Sequence, residues 1–327
     1  MLSPRQRPES GPSVQIRQDT VAGRSPDHCC GMVSRPSRRF DRRSHRWCRI
    51  RETCGRPSGR VGRRAHNLIR HNLSSGVITI VTPAQIQFFE EHGYVTGVPI
   101  HGEVEVARIR QAFDELEERE GKENCAIGLQ GRHVDVRFIW ELASHSAIVD
   151  CIEALMGHDV MVLSTHFFCK YPGTTEQFVA WHQDVTYWGL EPPYALTAWY
   201  AVDDSDVENG CMRVIPGSHR QGIVEHGKSA RAGNQLSINQ EVSVEIDESS
   251  AVDLELKAGQ ISLHHGHLIH SSNPNCSGRR RCGLTLRYCP PTVKPAKVNS
   301  VGKPWPAILV RGEDRFNHFG NWELTFA

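Results

Sequence analysis

Apolar positions divide this chain at about Val160. Before that point they recur at helical spacing, and after it they come in short β-branched and aromatic runs. Thr82-Pro83-Ala84-Gln85 has the form of a capping box with proline at the first helical position. The helix it opens places Ile86 and Phe89 on one side and stops near Gly93. A second helix is expected from about Glu103, with Val106, Ile109, Phe113 and Leu116 as its buried stripe. Its opposite face, Asp114-Glu115 through Glu120, is solvated. A third helix, Ala147–Met156, gathers Ile148, Ile152 and Leu155 and ends at Gly157.

Beyond Val160 the pattern predicts strands at Val160–Phe168, Ala195–Val202, Met212–Ile215, Val252–Leu256, Ile261–His264 and Leu284–Tyr288. Turn signals separate them, among them Pro172-Gly173, Asn209-Gly210, Pro216-Gly217 and Ala258-Gly259. A run of strands after a run of helices argues for an α+β domain and against βαβ alternation. Many short strands suggest a sandwich or jelly roll, supported by the N-terminal helices. Gly222–Ser250 is polar and strand-poor, and reads as a long insertion near the barrel mouth.

Charge adds a boundary. The 327 residues are 39% hydrophobic and 23% charged, as in a soluble globular protein, and the net charge is only +1. No stretch approaches the roughly 18 apolar residues of a membrane span, so no membrane partner is expected. Residues 1–70, however, carry 17 arginines, five acids and no lysine, a net +12, which leaves −11 for the remainder. Residues 1–76 are therefore expected to be a disordered Arg-rich extension, and residues 77–327 the folded domain. Three origins for the extension stay open: a nucleic-acid-binding arm, a transit segment, or a start assigned too far upstream of a natural one near Val77 or Val81. The absence of lysine before Lys122 favours the last. The acidic remainder would repel a polyanion, so no nucleic-acid partner is expected.

Eleven cysteines are many, but Cys29, Cys30, Cys48 and Cys54 match no common zinc spacing, even with His45 nearby. Seven more lie in the folded part, and no secretory signal with an apolar core precedes them. Reduced thiols and a cytoplasmic location are the expectation.

Candidate chemistry centres on Trp181-His182-Gln183-Asp184. On extended backbone, residues i and i+2 share a face, so His182 and Asp184 can reach one metal. A distant histidine would complete the 2-His-1-carboxylate set that holds non-haem Fe(II) and leaves the opposite face of the metal open. A lone H-x-D is weak evidence in a chain with 18 histidines. The stretch Ile261–Ser272 offers His264, His265, His267 and His270 for the third ligand, and strand alternation does not choose among them.

The segments WHQDVTYWG, ENGCMRVIPGSHRQG and LIHSSNPNCSGRRRCGLTLRY resemble the phytanoyl-CoA dioxygenase family of Fe(II)/2-oxoglutarate oxygenases, over roughly Thr82–Pro291. The resemblance implies a double-stranded β-helix (jelly roll, cupin-like) with supporting N-terminal helices. It implies that His182, Asp184 and His270 are the catalytic metal ligands. Arg281, eleven residues after His270, then binds the far carboxylate of 2-oxoglutarate. The same offset from His264, His265 and His267 lands on Asn275, Cys276 and Gly278, none of which pairs with a carboxylate. Gln183, Trp199, Ser272 and His166 match further co-substrate positions, although Trp199 reads equally as a core aromatic and His166 as a satisfied polar residue. Arg287 is read as structural.

The implied activity is an oxidation of a small-molecule substrate, a hydroxylation by first expectation, using 2-oxoglutarate and O2 and releasing succinate and CO2. Related halogenases replace the carboxylate of the H-x-D element with a small residue, so Asp184 argues against chlorination. Tyr187, Trp188 and Tyr194 are candidates for a substrate wall or for the core. A metal-binding jelly roll without catalysis is the alternative, and the intact triad and arginine argue against it.

Overall fold

Thr82 opens the first helix as its sequence requires. Its hydroxyl accepts from the Gln85 N–H and its own N–H donates to the Gln85 side chain. The computed structural model describes residues 81–236, 239–297 and 305–326. The chain divides into two units, residues 1–71 and 72–327, and everything described belongs to the second. The extension expected at residues 1–76, with its four cysteines, lies outside the described residues.

The helical part comprises α1 (Pro83–His92), α2 (Glu103–Glu120), α3 (Lys122–Ile127), α4 (Arg137–Ala143) and α5 (Ser146–Met156), with strand β1 (Tyr94–Pro99) between α1 and α2. The strand-rich part follows in order: β2 (Val160–Lys170), β3 (Val179–His182), the one-turn α6 (Val185–Trp188), β4 (Leu190–Glu191), β5 (Leu196–Ala201) and β6 (Met212–Val214). Then come β7 (His226–Lys228), β8 (Gln240–Val242), β9 (Val252–Leu254), β10 (Gln260–His265), β11 (His270–Ser272), β12 (Arg281–Cys289), β13 (Lys294–Pro295) and β14 (Ile308–Arg311).

Two antiparallel sheets carry the architecture. The larger runs β1-β10-β5-β12-β2-β14 and the smaller β3-β11-β6-β9. Side chains of both meet in one apolar cluster, where Tyr94 and Ala201 from the large sheet pack with Met212, Val214 and Leu254 from the small one. The large sheet's other face is covered by helices. Ile109, Phe113 and Leu116 of α2 and Ile148 and Ile152 of α5 share a core with Phe167, Ala198, Leu263, Leu284 and Leu286. These are the stripes that helical spacing predicts, and the two periods, 3.6 and 2, meet at this interface.

Several elements escape the apolar pattern, some of them for identifiable reasons. β1 contains Gly97 and ends in Pro99, both poor strand residues, yet it pairs with β10 as the sheet's edge, where proline is tolerated. β3 and β11 are only four and three residues long, too short to show a period, and β11 holds no apolar residue. The insertion, expected to be strand-poor, carries one short hairpin, β7–β8, paired from His226↔Val242 to Lys228↔Gln240. Six buried cysteines, at 125, 151, 169, 211, 282 and 289, are thiols, as expected. No helix among the described residues is long and apolar enough to cross a membrane.

One polar group under the helices sets a pH limit on the fold. His133 is fully buried, its Nε2–H donating to Pro306 O and its Nδ1 lying 3.2 Å from Thr165 Oγ1. Burial pushes its pKa down from 6.5 to about 4. The unfolded chain therefore takes up this proton first, so stability is lost as pH falls from about 6.5 to about 4, at up to roughly 1.4 kcal/mol per pH unit. Urea midpoints compared at pH 7 and pH 5 should show a smaller acid loss for His133→Gln than for the native chain.

Candidate metal centre

Strand register, not sequence proximity, assembles this site. His270 at the start of β11 pairs directly with His182 at the end of β3, and their ring centroids are 4.1 Å apart. Asp184 follows β3 as the N-cap of α6, at helical φ and ψ of −62° and −41°. One ligand atom from each of His182, Asp184 and His270 lies within 4.8 Å of the others, and all three side chains are buried. Both imidazole Nε2 atoms face the same carboxylate oxygen, Asp184 Oδ1, at 3.8 Å and 4.0 Å.

The tautomers fit a metal. His182 Nδ1 lies 2.9 Å from Ala180 O, and His270 Nδ1 lies 2.9 Å from Leu268 O. A carbonyl only accepts, so each Nδ1 carries the proton and each Nε2 keeps a lone pair aimed at the centre. The Asp184 oxygens are likewise divided. Oδ2 accepts from Thr197 Oγ1 at 2.8 Å and from His264 Nε2 at 3.3 Å, which leaves Oδ1 for an ion. Hence His264, one of the four candidate histidines, orients the carboxylate while His270 completes the triad.

Electrostatics keep these donors in ligating form. Burial by itself would raise the Asp184 pKa, but Arg287 and the surrounding imidazoles outweigh it and hold the carboxyl well below its ordinary value. Burial, reinforced by the neighbouring His182 and His264, pushes His270 well down, so it stays neutral. An anionic carboxylate and neutral imidazoles are the forms that bind a borderline metal.

A cavity extends from this centre to Arg281, with Trp199, Ser272, Phe168 and Met212 on its walls. Among three consecutive arginines, only the last turns inward. Arg279 pairs with Asp206 and Glu208, and Arg280 with Asp203 and Asp114, on the outer side. Arg281 is buried, with its guanidinium 5.5 Å from the Trp199 ring and its Nε without a partner. Its contacts are weak, 3.5 Å to Ser272 Oγ and 3.5 Å to Phe168 O. Trp199 can lie flat over β12 because residue 283 is glycine. A Cβ there would come within 1.8 Å of the indole.

Two expected co-substrate residues are not on the cavity wall. Gln183 is buried and turned away, its amide donating to Gly222 O and His267 O and its carbonyl accepting from Val224 N. It ties the insertion to the β10–β11 turn, because the residue between two same-face neighbours must face the other way. His166 hydrogen-bonds Ile127 O and packs against Phe168 at 4.5 Å, and burial pushes its pKa down to about 4.

Arg287 corrects its sequence reading in the opposite direction. It lines the cavity, with Nη2 3.8 Å from Asp184 Oδ1, its guanidinium 5.4 Å from the Trp188 ring, and Nε and Nη1 unpartnered. Period-two counting from Arg281 along β12 would have put it there. Trp188 is core, Tyr187 meets the His182 ring edge at 6.1 Å, and Tyr194 packs near His265.

Comparison with known proteins agrees with this geometry. The family model for phytanoyl-CoA dioxygenase (PhyH) matches residues 89–283. A phytanoyl-CoA dioxygenase of Arabidopsis thaliana is 24% identical over 260 residues, covering 64% of this chain and 89% of the relative. An L-proline trans-4-hydroxylase of Streptomyces griseoviridis is 28% identical over 218 residues, covering 59% and 80%. Among solved structures, the non-haem monooxygenase ThoJ in its apo form is 32% identical with a TM-score of 0.57, covering 70% of this chain and 84% of ThoJ. The chain belongs to the phytanoyl-CoA dioxygenase family, and with it to the non-haem, 2-oxoglutarate-dependent oxidoreductases.

Proposed function

We propose that this protein hydroxylates a carbon of a small molecule, with 2-oxoglutarate as co-substrate and succinate and CO2 as co-products. The observation that carries the reading is the convergence of three correctly protonated ligands with an unpaired buried guanidinium in one cavity. In this reading the two antiparallel sheets are the halves of a double-stranded β-helix, and His182, Asp184 and His270 hold the metal. Fe(II), if bound by these three side chains, would supply the redox chemistry that couples O2 to oxidation of the keto acid and the substrate.

The chain's own contributions follow from its geometry. Arg281 offers a planar fork of donors to the far carboxylate of 2-oxoglutarate, which a lysine in its place would not match. Trp199 forms an apolar wall beside it, and Ser272 adds a hydroxyl at the same pole. Thr197 and His264 keep Asp184 turned so that one oxygen serves the metal. Arg287 holds that carboxylate ionised. The apolar enclosure by Phe168, Val179 and Met212 limits water, which strengthens each of these interactions. Because Asp184 occupies one ligand position, no protein-vacated site is left for a halide, which supports oxygen insertion over chlorination. Relatives named for an acyl thioester and for proline leave the substrate carbon open.

Three outcomes are expected. Purified protein with Fe(II), O2 and 2-oxoglutarate should release succinate, at a rate that rises with a substrate from a broad panel of small molecules. No succinate under any of these conditions would defeat the proposal. Asp184→Ala should lose stoichiometric Fe(II), measured by metal analysis after desalting. Arg281→Met should raise the KM for 2-oxoglutarate by about tenfold to a hundredfold, the scale of a charge-assisted hydrogen bond, with Fe(II) content unchanged.

A further inference from the structure

Lys170 ends β2 at the register position opposite Arg281. Its side chain is 0% exposed, and its surroundings contain a guanidinium and thiols but no carboxylate. Arg281 likewise has no acidic partner among the described residues. Two cations are thus buried side by side without a counter-ion. A buried unpaired charge costs several kcal/mol, and such a cost is commonly tolerated where a ligand supplies the partner.

The hydrogen bonds at this pole say what Lys170 does there. Its ammonium donates to Ser272 Oγ at 2.6 Å and to Asn273 O. Ser272 Oγ also lies 3.5 Å from Arg281 Nη2. Ammonium and guanidinium groups only donate, so the Ser272 oxygen is an acceptor toward both. Its own hydrogen is left to point elsewhere, and the cavity that Ser272 lines is the open direction. Burial and the neighbouring Arg281 together press the Lys170 pKa well below its ordinary value, and an anion bound at this pole would favour the ammonium form.

We propose that Lys170 is a positioning residue for the co-substrate: its ammonium fixes the Ser272 hydroxyl as a donor to the far carboxylate of 2-oxoglutarate. This rests on the assignment of Arg281 and Ser272 to the co-substrate made above. The competing role is purely structural, with Lys170 tying down the Asn273 carbonyl. The two roles differ in what they do to ligands with and without a far carboxylate.

The test is anaerobic calorimetric titration of the Fe(II)-loaded protein with 2-oxoglutarate and with 2-oxobutyrate, which has the same keto-acid head and no far carboxylate. Lys170→Met should weaken 2-oxoglutarate by about tenfold or more while changing 2-oxobutyrate by less than about twofold. Combined with Ser272→Ala it should add less than about twofold, because both changes remove one donor. The thermal midpoint of the ligand-free variant should not fall. Lys170→Gln, a neutral donor of similar reach, should show the same selectivity with a smaller loss, and replaces the methionine variant if that one does not fold. Equal weakening of both keto acids, full additivity with Ser272→Ala, or unchanged 2-oxoglutarate affinity would each overturn the proposal. If Arg281→Met and Ser272→Ala also leave 2-oxoglutarate affinity unchanged, the co-substrate assignment itself fails.

Discussion

A strand buried on both faces has to serve two environments, and β12 is the strand on which this domain depends. It lies between β5 and β2 in the large sheet, with all nine of its residues buried. Cys282, Leu284, Leu286 and Tyr288 face the helices and join the principal core. Arg281, Thr285 and Arg287 face the other way, into the cavity. Strand alternation makes these two sets inseparable, because a one-residue slip would place guanidinium groups under the helices and leucines in the cavity. Helix packing and the inward position of Arg281 are therefore one constraint.

The neighbouring strands repeat the division. Trp199 of β5 and His264 of β10 line the cavity, with Thr197 bonded to Asp184 on the same side, while Ala198, Tyr200 and Leu263 face the helices. The cavity face is thus polar by construction, and its charges balance locally at the metal end. Asp184 is surrounded by Arg287 and three imidazoles, which keep the acid ionised despite complete burial. At the opposite end Arg281 and Lys170 lack any such acid. The two ends of one cavity therefore differ: three ligand atoms converge at the triad, and the far end is basic with no acid beside it. An Fe(II)–dicarboxylate pair would suit both ends.

Much of the fold was readable because its periods are clean. The stripe Val106, Ile109, Phe113 and Leu116 predicted α2 and its buried side, and the capping box at Thr82 located the start of α1. Runs such as Leu284–Tyr288 predicted the central strand but stopped short at Arg281, whose charge disguises it as loop. β3 and β11 were not among the expected strands, because runs of four and three residues are too short to show a period of two. At the site, the H-x-D element pointed to His182 and Asp184, and the family resemblance to His270 and Arg281; the structure gathers all four around one cavity. Local sequence gave no sign of which way Gln183 turns, or that Arg287 and Lys170 are buried charges.

By itself, then, the sequence determined the helical stripes, the succession of helices and strands, the H-x-D pair on one backbone face, and a short list of histidines and arginines for the remaining roles. These follow from spacing along one chain. Only tertiary structure decided that His270 lies across from His182, that His264 serves Asp184 by hydrogen bonding, and that Arg281 turns in while Arg279 and Arg280 find surface acids. Each of these depends on strand register between segments far apart in the chain. Register is set by the summed packing of both sheet faces, and no local stretch of sequence contains that sum.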